Sequence, residues 1–166
     1  MLTPINIISM KTHQYKTNLT WTGNLGTGTS AYRDYGRNHE LSAGSKQLIP
    51  GSSDPSFRGD GTRYNPEELL VMSISSCHML WYLHLCSEAG VVVVDYTDTA
   101  TGTMTETVNG GGRFTDVTLN PVVIVSDAAM VDKANELHHK ANELCYIANS
   151  CNFPILHQPV CEVLTK

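Results

Sequence analysis

The hydrophobic pattern of the chain changes character near residue 65. Before it, residues 13–23 alternate polar and apolar side chains and carry several Thr and aromatic residues, which predicts a strand. A Gly-rich turn follows over residues 23–28, and residues 29–41 predict one or two further strands, so we expect a hairpin or meander. Residues 44–64 are rich in Gly, Ser, Pro and Asp and predict a long loop.

From residue 65 the pattern predicts a long helix. Asn65 is a good N-cap, Pro66 suits the first helical position, and two glutamates in the first turn favour the positive end of the helix dipole. The residues that follow are mostly apolar or small through Ala89, and Gly90 predicts the end. Because large apolar residues surround this helix and do not form a single stripe, we expect it to be buried on all sides.

The C-terminal half predicts strands around a second helix. Residues 91–108 predict one long strand, residues 109–112 a hairpin turn, and residues 113–125 the returning strand. Ser126 and Asp127 predict the start of a helix reaching about residue 149, in which a seven-residue repeat places Leu137 and Leu144 on one face. Residues 159–165 predict a last strand. This order of elements predicts an α+β fold with antiparallel sheet.

Composition narrows the possible functions. The 166 residues suit one domain, and the net charge of −5 without any run of Lys or Arg argues against nucleic-acid binding. We find no run of about 18 apolar residues, so we predict no membrane span. The N-terminus does not resemble a secretory signal, so we expect a cytoplasmic protein. We expect a single domain over residues 1–166, in which residues 1–9 form an N-terminal extension.

Two of the five cysteines are candidates for redox chemistry. The odd number and the absence of a secretory signal favour free thiols in a reducing compartment. Cys77 and Cys145 each lie in a segment with a helical pattern, far apart in sequence. Thiol-based peroxide chemistry needs one thiolate to attack and a second thiol to resolve. Either residue could equally be a packed core thiol, since Cys is among the most buried residue types.

A reactive Cys77 would need a cation or a strong donor beside it, because burial alone raises a thiol pKa. Arg58, Arg33 and Arg37 are the candidates, although each alone could be a surface residue. Glu67 precedes Cys77 by ten residues, about 15 Å along a helix axis, so the two cannot touch within one straight helix. Taken alone, Glu67 is explained by compensation of the helix dipole.

The sequence predicts neither a metal site nor a cofactor. His138 and His139 are adjacent and point to different helix faces, so we interpret them as surface residues. His78 and His84 also diverge on their helix. Cys145 with Cys151 does not have the spacing of a zinc motif.

A resemblance to a known family sharpens this interpretation. The segment from Asn65 to Leu70, with Cys77 ten residues after Glu67, and the later helix with Ala141-x-x-x-Cys145 resemble the OsmC/Ohr family of osmotically inducible and organic-hydroperoxide-resistance proteins. The resemblance spans residues 21–164. It implies an OsmC-like α+β fold with antiparallel β-sheets packed around two long central helices. It also implies an intertwined homodimer with active sites at the subunit interface.

The same resemblance suggests roles for four residues. Cys77 resembles the peroxidatic cysteine and Cys145 the resolving one, while Glu67 matches the carboxylate that holds the catalytic arginine. Arg58 matches the OsmC branch by its position before Asn-Pro-Glu, whereas Arg33 suits the Ohr branch, where the arginine comes from an N-terminal strand. We choose Arg58.

The chain also departs from the family pattern around the second cysteine. The family often has His before this cysteine and Pro after it, where this chain has Asn142 and Tyr146. Without that Pro, we expect the helix to continue past Cys145. Cys151 is then an alternative resolving residue.

The predicted reaction is the reduction of an organic hydroperoxide to an alcohol. It would pass through a Cys77 sulfenic acid and a Cys77–Cys145 disulfide, with a lipoyl-type dithiol as reductant and neither metal nor cofactor. Apolar residues such as Met72 and Leu80 could line a site for alkyl or lipid peroxides, or could equally be core. Two alternatives stay open: another enzyme with a cysteine nucleophile, and a non-catalytic, stress-associated small-molecule-binding protein.

Overall fold

The computed structural model describes residues 11–165. The described chain divides into two compact units, residues 11–66 and residues 67–165. The proposed extension, residues 1–9, lies outside the described residues.

The first unit contains a small antiparallel sheet. Its three strands follow one another in an antiparallel meander: β1 (Asn18–Trp21), β2 (His39–Ser42) and β3 (Ile49–Gly51). The third strand lies outside the residues that were predicted to form strands. The predicted loop over residues 44–64 is wrong in part, because it contains β3 and a 3₁₀ turn, Pro55–Phe57. The pattern hid β3 because the strand has three residues, one of them Pro50, and is held by pairing with β2.

The second unit carries both helices and two three-stranded sheets. Its elements in chain order are α1 (Pro66–Glu88, beginning at the unit boundary), β4 (Val93–Asp98), β5 (Thr101–Glu106), β6 (Gly112–Leu119), β7 (Pro121–Val125), α2 (Val131–Leu144), β8 (Ile155–His157) and β9 (Val160–Val163). One sheet has the order β4-β7-β9 and the other β5-β6-β8. The α+β prediction is confirmed, but β6 with β8 and β7 with β9 pair in parallel, so both sheets are mixed.

Each of the two long predicted strands is split between the two sheets. Asp98 accepts a hydrogen bond from the backbone N–H of Asn120 at 2.7 Å, and the Asn120 amide donates to the Thr99 carbonyl at 2.9 Å. These bonds tie the corner between β4 and β5 to the corner between β6 and β7. The hairpin turn predicted at residues 109–112 is confirmed, since β5 and β6 pair antiparallel on either side of it. Sequence patterning missed β8, which has three residues.

The prediction for α1 is correct in its bounds and wrong in its burial. The helix runs over Pro66–Glu88, but its buried residues form a single stripe at every fourth position: Ile74, His78, Tyr82 and Cys86. Met72 and Leu80 are 47% and 63% exposed in the chain. By length and composition α1 could also cross a membrane. Core helices of soluble proteins can have the same length and composition, so these two properties do not by themselves indicate a membrane span.

Two hydrophobic clusters hold α1 in the second unit. Tyr82 and Cys86 pack in a cluster with buried residues of β7 and α2: Val123, Val125, Ala134, Leu137 and Ala141. Ile74 packs with Val117 and Leu119 of β6. The stripe therefore fixes the rotation of α1 about its axis, which decides where Cys77 points.

The end of α1 is closed by backbone hydrogen bonds typical of a glycine C-cap. The N–H of Gly90 donates to the Ser87 carbonyl at 3.3 Å, and the N–H of Val91 donates to the Cys86 carbonyl at 2.9 Å. Gly90 has φ of 72°, in the left-handed region. We expect Gly90→Ala to lower the free energy of unfolding by about 1 kcal/mol, because a side chain disfavours this conformation. No atom lies within 4 Å of the added Cβ, so the loss would come from the backbone alone.

Urea denaturation of Gly90→Ala and Gly90→Asn would check this expectation. Asparagine tolerates the left-handed region better than alanine, so the Asn variant should lose less. Equal losses for both variants would contradict the role assigned to the φ angle.

Candidate active site

The second unit brings Cys77 and Cys145 together. Cys77 lies in the middle of α1 and is partly buried, whereas Cys145 directly follows α2 and is completely buried. Burial, and then a side-chain hydrogen bond with Cys77, raise the pKa of Cys145 to about 11. Cys145 is therefore a neutral thiol at physiological pH, and its sulfur lies beside that of Cys77. Both are free thiols in this structure.

The local backbone around Cys145 differs from the expectation. Helix α2 ends at Leu144, and Cys145 is extended with φ of −65° and ψ of 112°. The helix therefore stops before Tyr146 although no Pro follows the cysteine, and the predicted continuation to residue 149 is wrong. Residues 148–150 form a separate 3₁₀ turn, at whose start the N–H of Ala148 donates to the Cys145 sulfur at 3.4 Å. This bond helps to orient the thiol.

An aromatic contact spans the helices next to the thiols. Tyr146 is 70% exposed and meets Trp81 of α1 edge to face, with ring centroids 5.5 Å apart. The turn after α2 is thus attached to α1 one helical turn beyond Cys77. The Cys151 thiol donates to the Ile147 carbonyl at 3.3 Å, and the residue packs beside the cluster of Ile74.

The serines around Cys77 are occupied by other partners. Ser75 donates a short hydrogen bond to the Asp98 carboxylate, and Ser76 donates to the backbone carbonyl of Ser73 at 3.3 Å. They anchor α1 to β4 and to its own backbone.

The carboxylate proposed to act with the thiols lies at the beginning of α1. Glu67 is partly buried in the first turn and is separated from Cys77 by a continuous helix. Ten residues of helix correspond to about 15 Å, so Glu67 does not reach Cys77 of the same chain.

The candidate arginines all belong to the first unit. Arg58 is exposed and ends the 3₁₀ turn with φ of 67°, and among the described residues it alone combines a positive φ with a side chain. Such strain costs of order 1–2 kcal/mol and is often found at functional sites. The Arg58 guanidinium carbon lies 5.9 Å from the centre of the Tyr32 ring.

The Arg37 side chain makes hydrogen bonds and ring contacts within the first unit. Its guanidinium donates to the Tyr32 carbonyl at 2.9 Å and to the Tyr35 carbonyl, and lies 4.4 and 4.1 Å from the centres of those two rings. Arg33 is exposed. Of the three arginines, Arg37 has its donors most fully engaged.

Sequence reasoning missed a buried histidine pair next to the thiols. His78 Nε2 and His138 Nδ1 lie 3.0 Å apart, and both side chains are completely buried. Tyr82 stacks on the His138 ring at a centroid distance of 3.8 Å. The prediction that His138 and His139 are surface residues is therefore wrong for His138, while His139 is exposed.

The signal for His138 was present in the apolar stripe of α2. The buried residues of this helix are Ala134, Leu137, His138 and Ala141, the i, i+3, i+4, i+7 pattern of one helix face. Reading His138 as part of that stripe would have placed it in the core.

Burial keeps both histidines neutral. It lowers the pKa of His78 to about 4 and that of His138 to about 3, and the nearby charge of His157 acts in the same direction on both. Asp98 opposes the effect at His78. Among residues 11–165, no group of three or more His, Cys, Asp or Glu side chains is arranged to hold a metal ion.

The histidine pair predicts a loss of stability in mild acid. Unfolded histidines bind protons near pH 6.5, whereas the folded pair does so only near pH 4 and below, so the unfolded state binds more protons in between. The free energy of unfolding should therefore fall as the pH drops below about 6.5, by up to about 1.4 kcal/mol per pH unit for each histidine.

Denaturation between pH 7 and pH 5 would measure this slope. His138→Leu should have a smaller slope than the wild type, and the exposed neighbour variant His139→Gln should keep the wild-type slope. An unchanged slope in His138→Leu would contradict the assigned protonation states.

The chain is similar to a known protein family and to several solved structures. Residues 59–158 match the family described as OsmC-like protein. Among solved structures, an OsmC-like protein of unknown function from Vibrio cholerae is 27% identical, with a TM-score of 0.78 over 90% of this chain and 100% of that one. An organic hydroperoxide resistance protein from Elizabethkingia anophelis is 20% identical, with a TM-score of 0.65 over 93% and 100%.

A Legionella pneumophila protein described as organic hydroperoxide resistance protein OsmC is 16% identical, with a TM-score of 0.65 over 93% of this chain and 100% of that one. The likenesses below 25% identity support the fold alone. No curated protein matches the chain. The family match covers more than half of the sequence and includes Glu67, Cys77 and Cys145. The chain therefore belongs to the OsmC-like family.

Proposed function

We propose that this protein is a thiol peroxidase that reduces organic hydroperoxides to alcohols. The observation that carries the proposal is the pairing of two unlike thiols, a partly accessible Cys77 and a buried, protonated Cys145 beside it. Membership of a family that includes organic hydroperoxide resistance proteins supports the same role.

The first step uses Cys77 as a thiolate. Its sulfur attacks the terminal oxygen of the hydroperoxide, the O–O bond breaks, and the alkoxide leaves and takes up a proton to become the alcohol. Cys77 is then a sulfenic acid. Partial exposure suits Cys77 to this step, because the peroxide has to reach the sulfur.

The second step uses Cys145. Its sulfur attacks the Cys77 sulfur, a disulfide forms, and hydroxide leaves with the proton of the Cys145 thiol as water. A dithiol reductant of the lipoyl type then restores both thiols and becomes a disulfide itself. The high pKa of Cys145 favours this order, because a neutral thiol does not compete with Cys77 for the peroxide.

Arg58 is proposed to stabilise the Cys77 thiolate and to orient the peroxide, with Glu67 holding the arginine. Since Glu67 does not reach Cys77 along its own helix, we propose an intertwined homodimer in which the site is completed between subunits. The exposed apolar residues Met72 and Leu80 of α1 suit burial in such a dimer. We propose a cytoplasmic location, where thiols stay reduced.

The two-cysteine mechanism predicts different defects for different cysteine variants. With reduced protein and cumene hydroperoxide, Cys77→Ser should abolish consumption, whereas Cys145→Ser should consume one equivalent as the wild type does, but end at the sulfenic acid and not at the disulfide. Cys151→Ser is the matched control and should consume peroxide like the wild type. Peroxide assays with dimedone trapping would distinguish these cases.

Equal, slow consumption by all four proteins would reject the peroxidase proposal and favour a small-molecule-binding role. Loss of consumption in Cys77→Ser, with the same oxidised product in Cys145→Ser as in the wild type, would instead show that Cys145 is not the resolving thiol.

The assignment of Arg58 to the Cys77 thiolate predicts a difference in rate between two arginine variants. Arg58→Met should slow the reaction of Cys77 with cumene hydroperoxide by roughly 10²-fold, the usual effect of removing one preorganised donor. Arg33→Met should change this rate little. Single-turnover stopped-flow measurements of both variants would decide, and the opposite ranking would transfer the role to Arg33.

A further inference from the structure

Two contacts join α1 to α2 at neighbouring positions. Cys77 and His78 are consecutive on α1. The partner of His78 is His138 in α2, and the partner of Cys77 is Cys145, seven residues after His138. Seven residues of helix make about two turns, so Cys145, directly after α2, continues the side of the helix that carries His138. The histidine contact thus lies beside the thiol pair, in the core that holds the helices together.

The neutral histidine pair can share one hydrogen bond. Each neutral imidazole has one N–H and one bare nitrogen, so the 3.0 Å contact is a hydrogen bond when one ring presents its N–H and the other its bare nitrogen. Protonation of both rings would place two N–H groups against each other and remove the bond. At neutral pH the lowered pKa values leave the bond intact.

Core stability alone does not explain this pair. His78 Nδ1 and His138 Nε2 are buried and have no hydrogen-bond partner in the described part of the chain. Each unsatisfied buried group costs about 1–3 kcal/mol, and apolar side chains of similar size would fill the space without that cost. A hydrogen bond, unlike an apolar contact, fixes the position of one helix along the other, because it requires particular atoms to meet.

We propose that His78 and His138 are positioning residues for the disulfide. Their hydrogen bond holds α1 in register with α2, so that the Cys145 sulfur stays within reach of the Cys77 sulfur. The stacked Tyr82 ring keeps His138 in the required orientation. Disulfide closure depends steeply on geometry, since the alpha carbons must approach to about 4.4–6.8 Å with restricted dihedral angles. The inference rests on the proposed function only in that the same two cysteines form the disulfide.

The test measures how strongly the protein favours the Cys77–Cys145 disulfide. In a glutathione redox buffer, one glutathione disulfide oxidises the two protein thiols and yields two glutathione thiols. Peptide mass spectrometry at equilibrium gives the fraction of the protein that contains the Cys77–Cys145 disulfide. This fraction yields the effective concentration of the Cys145 thiol at the Cys77 thiol. This measurement requires no peroxide.

His138→Leu should lower that effective concentration by about tenfold, equivalent to about 1.4 kcal/mol. His138→Asn should restore most of it, because its amide can take the place of Nδ1. His139→Gln is the matched control on the exposed side of α2 and should resemble the wild type. Near-ultraviolet circular dichroism would establish that each variant is folded.

A folded His138→Leu protein with the wild-type effective concentration would overturn the proposal. If that variant does not fold, His138→Gln replaces it, since its longer side chain moves the amide away from the Nδ1 position and should show the same tenfold loss. Equal values for the Asn and Gln variants would also overturn it.

A kinetic experiment separates this inference from the proposed function. After one equivalent of cumene hydroperoxide, His138→Leu should form the sulfenic acid at a rate near that of the wild type but close the disulfide about tenfold more slowly. If the wild type does not react with peroxide while the glutathione experiment gives the expected ranking, the peroxidase proposal fails and the positioning role stands. If closure in His138→Leu is as fast as in the wild type, the positioning role fails.

Discussion

The packing of one stripe of α1 against the rest of the second unit determines the candidate site. Ile74, His78, Tyr82 and Cys86 recur at every fourth position, and all are buried. This stripe fixes both the rotation and the position of the helix. Cys77 lies one residue away from the stripe, so it is carried to the edge of the core, where a sulfur can meet Cys145 and still be partly accessible. An α1 rotated by a quarter turn would keep its length and lose the thiol pair.

The two thiols have different environments for identifiable reasons. Cys145 follows the last residue of α2 and is enclosed by the core, so its pKa is raised and its proton is retained. Cys77 belongs to α1, and the face of α1 opposite the buried stripe exposes Met72 and Leu80. The difference between an accessible sulfur and a buried, protonated one suits two consecutive steps, attack on a peroxide and closure of a disulfide. The histidine pair adds a directional contact next to them at a cost to the stability of the core.

The sequence predicted elements with strong local signals and missed those decided by tertiary contacts. The bounds of α1 followed from Asn65, Pro66 and Gly90, and the hairpin from residues 109–112, because caps and turns depend on neighbouring residues. The corner at which the long strands split is held by the bond between Asp98 and Asn120, which are 22 residues apart. The short strands β3 and β8 exist through pairing with other strands. No local sequence pattern predicts these tertiary contacts.

The candidate site shows the same difference between local sequence signals and tertiary contacts. Cys77 and Cys145 could be named from the family resemblance, and their proximity required the fold. His138 was misassigned because it was judged with its neighbour His139 and not with the apolar stripe around it. The roles of Arg58 and Glu67 stay predictions, because they depend on an assembly of subunits that the sequence of one chain does not contain.

The two-cysteine mechanism can be tested directly by mapping the disulfide that forms when fully reduced protein reacts with one equivalent of cumene hydroperoxide. The mechanism predicts a single Cys77–Cys145 linkage by peptide mass spectrometry, with Cys86, Cys151 and Cys161 still reduced. A Cys77–Cys151 linkage, or peroxide consumption with no disulfide at all, would contradict the assignment of Cys145 as the resolving thiol.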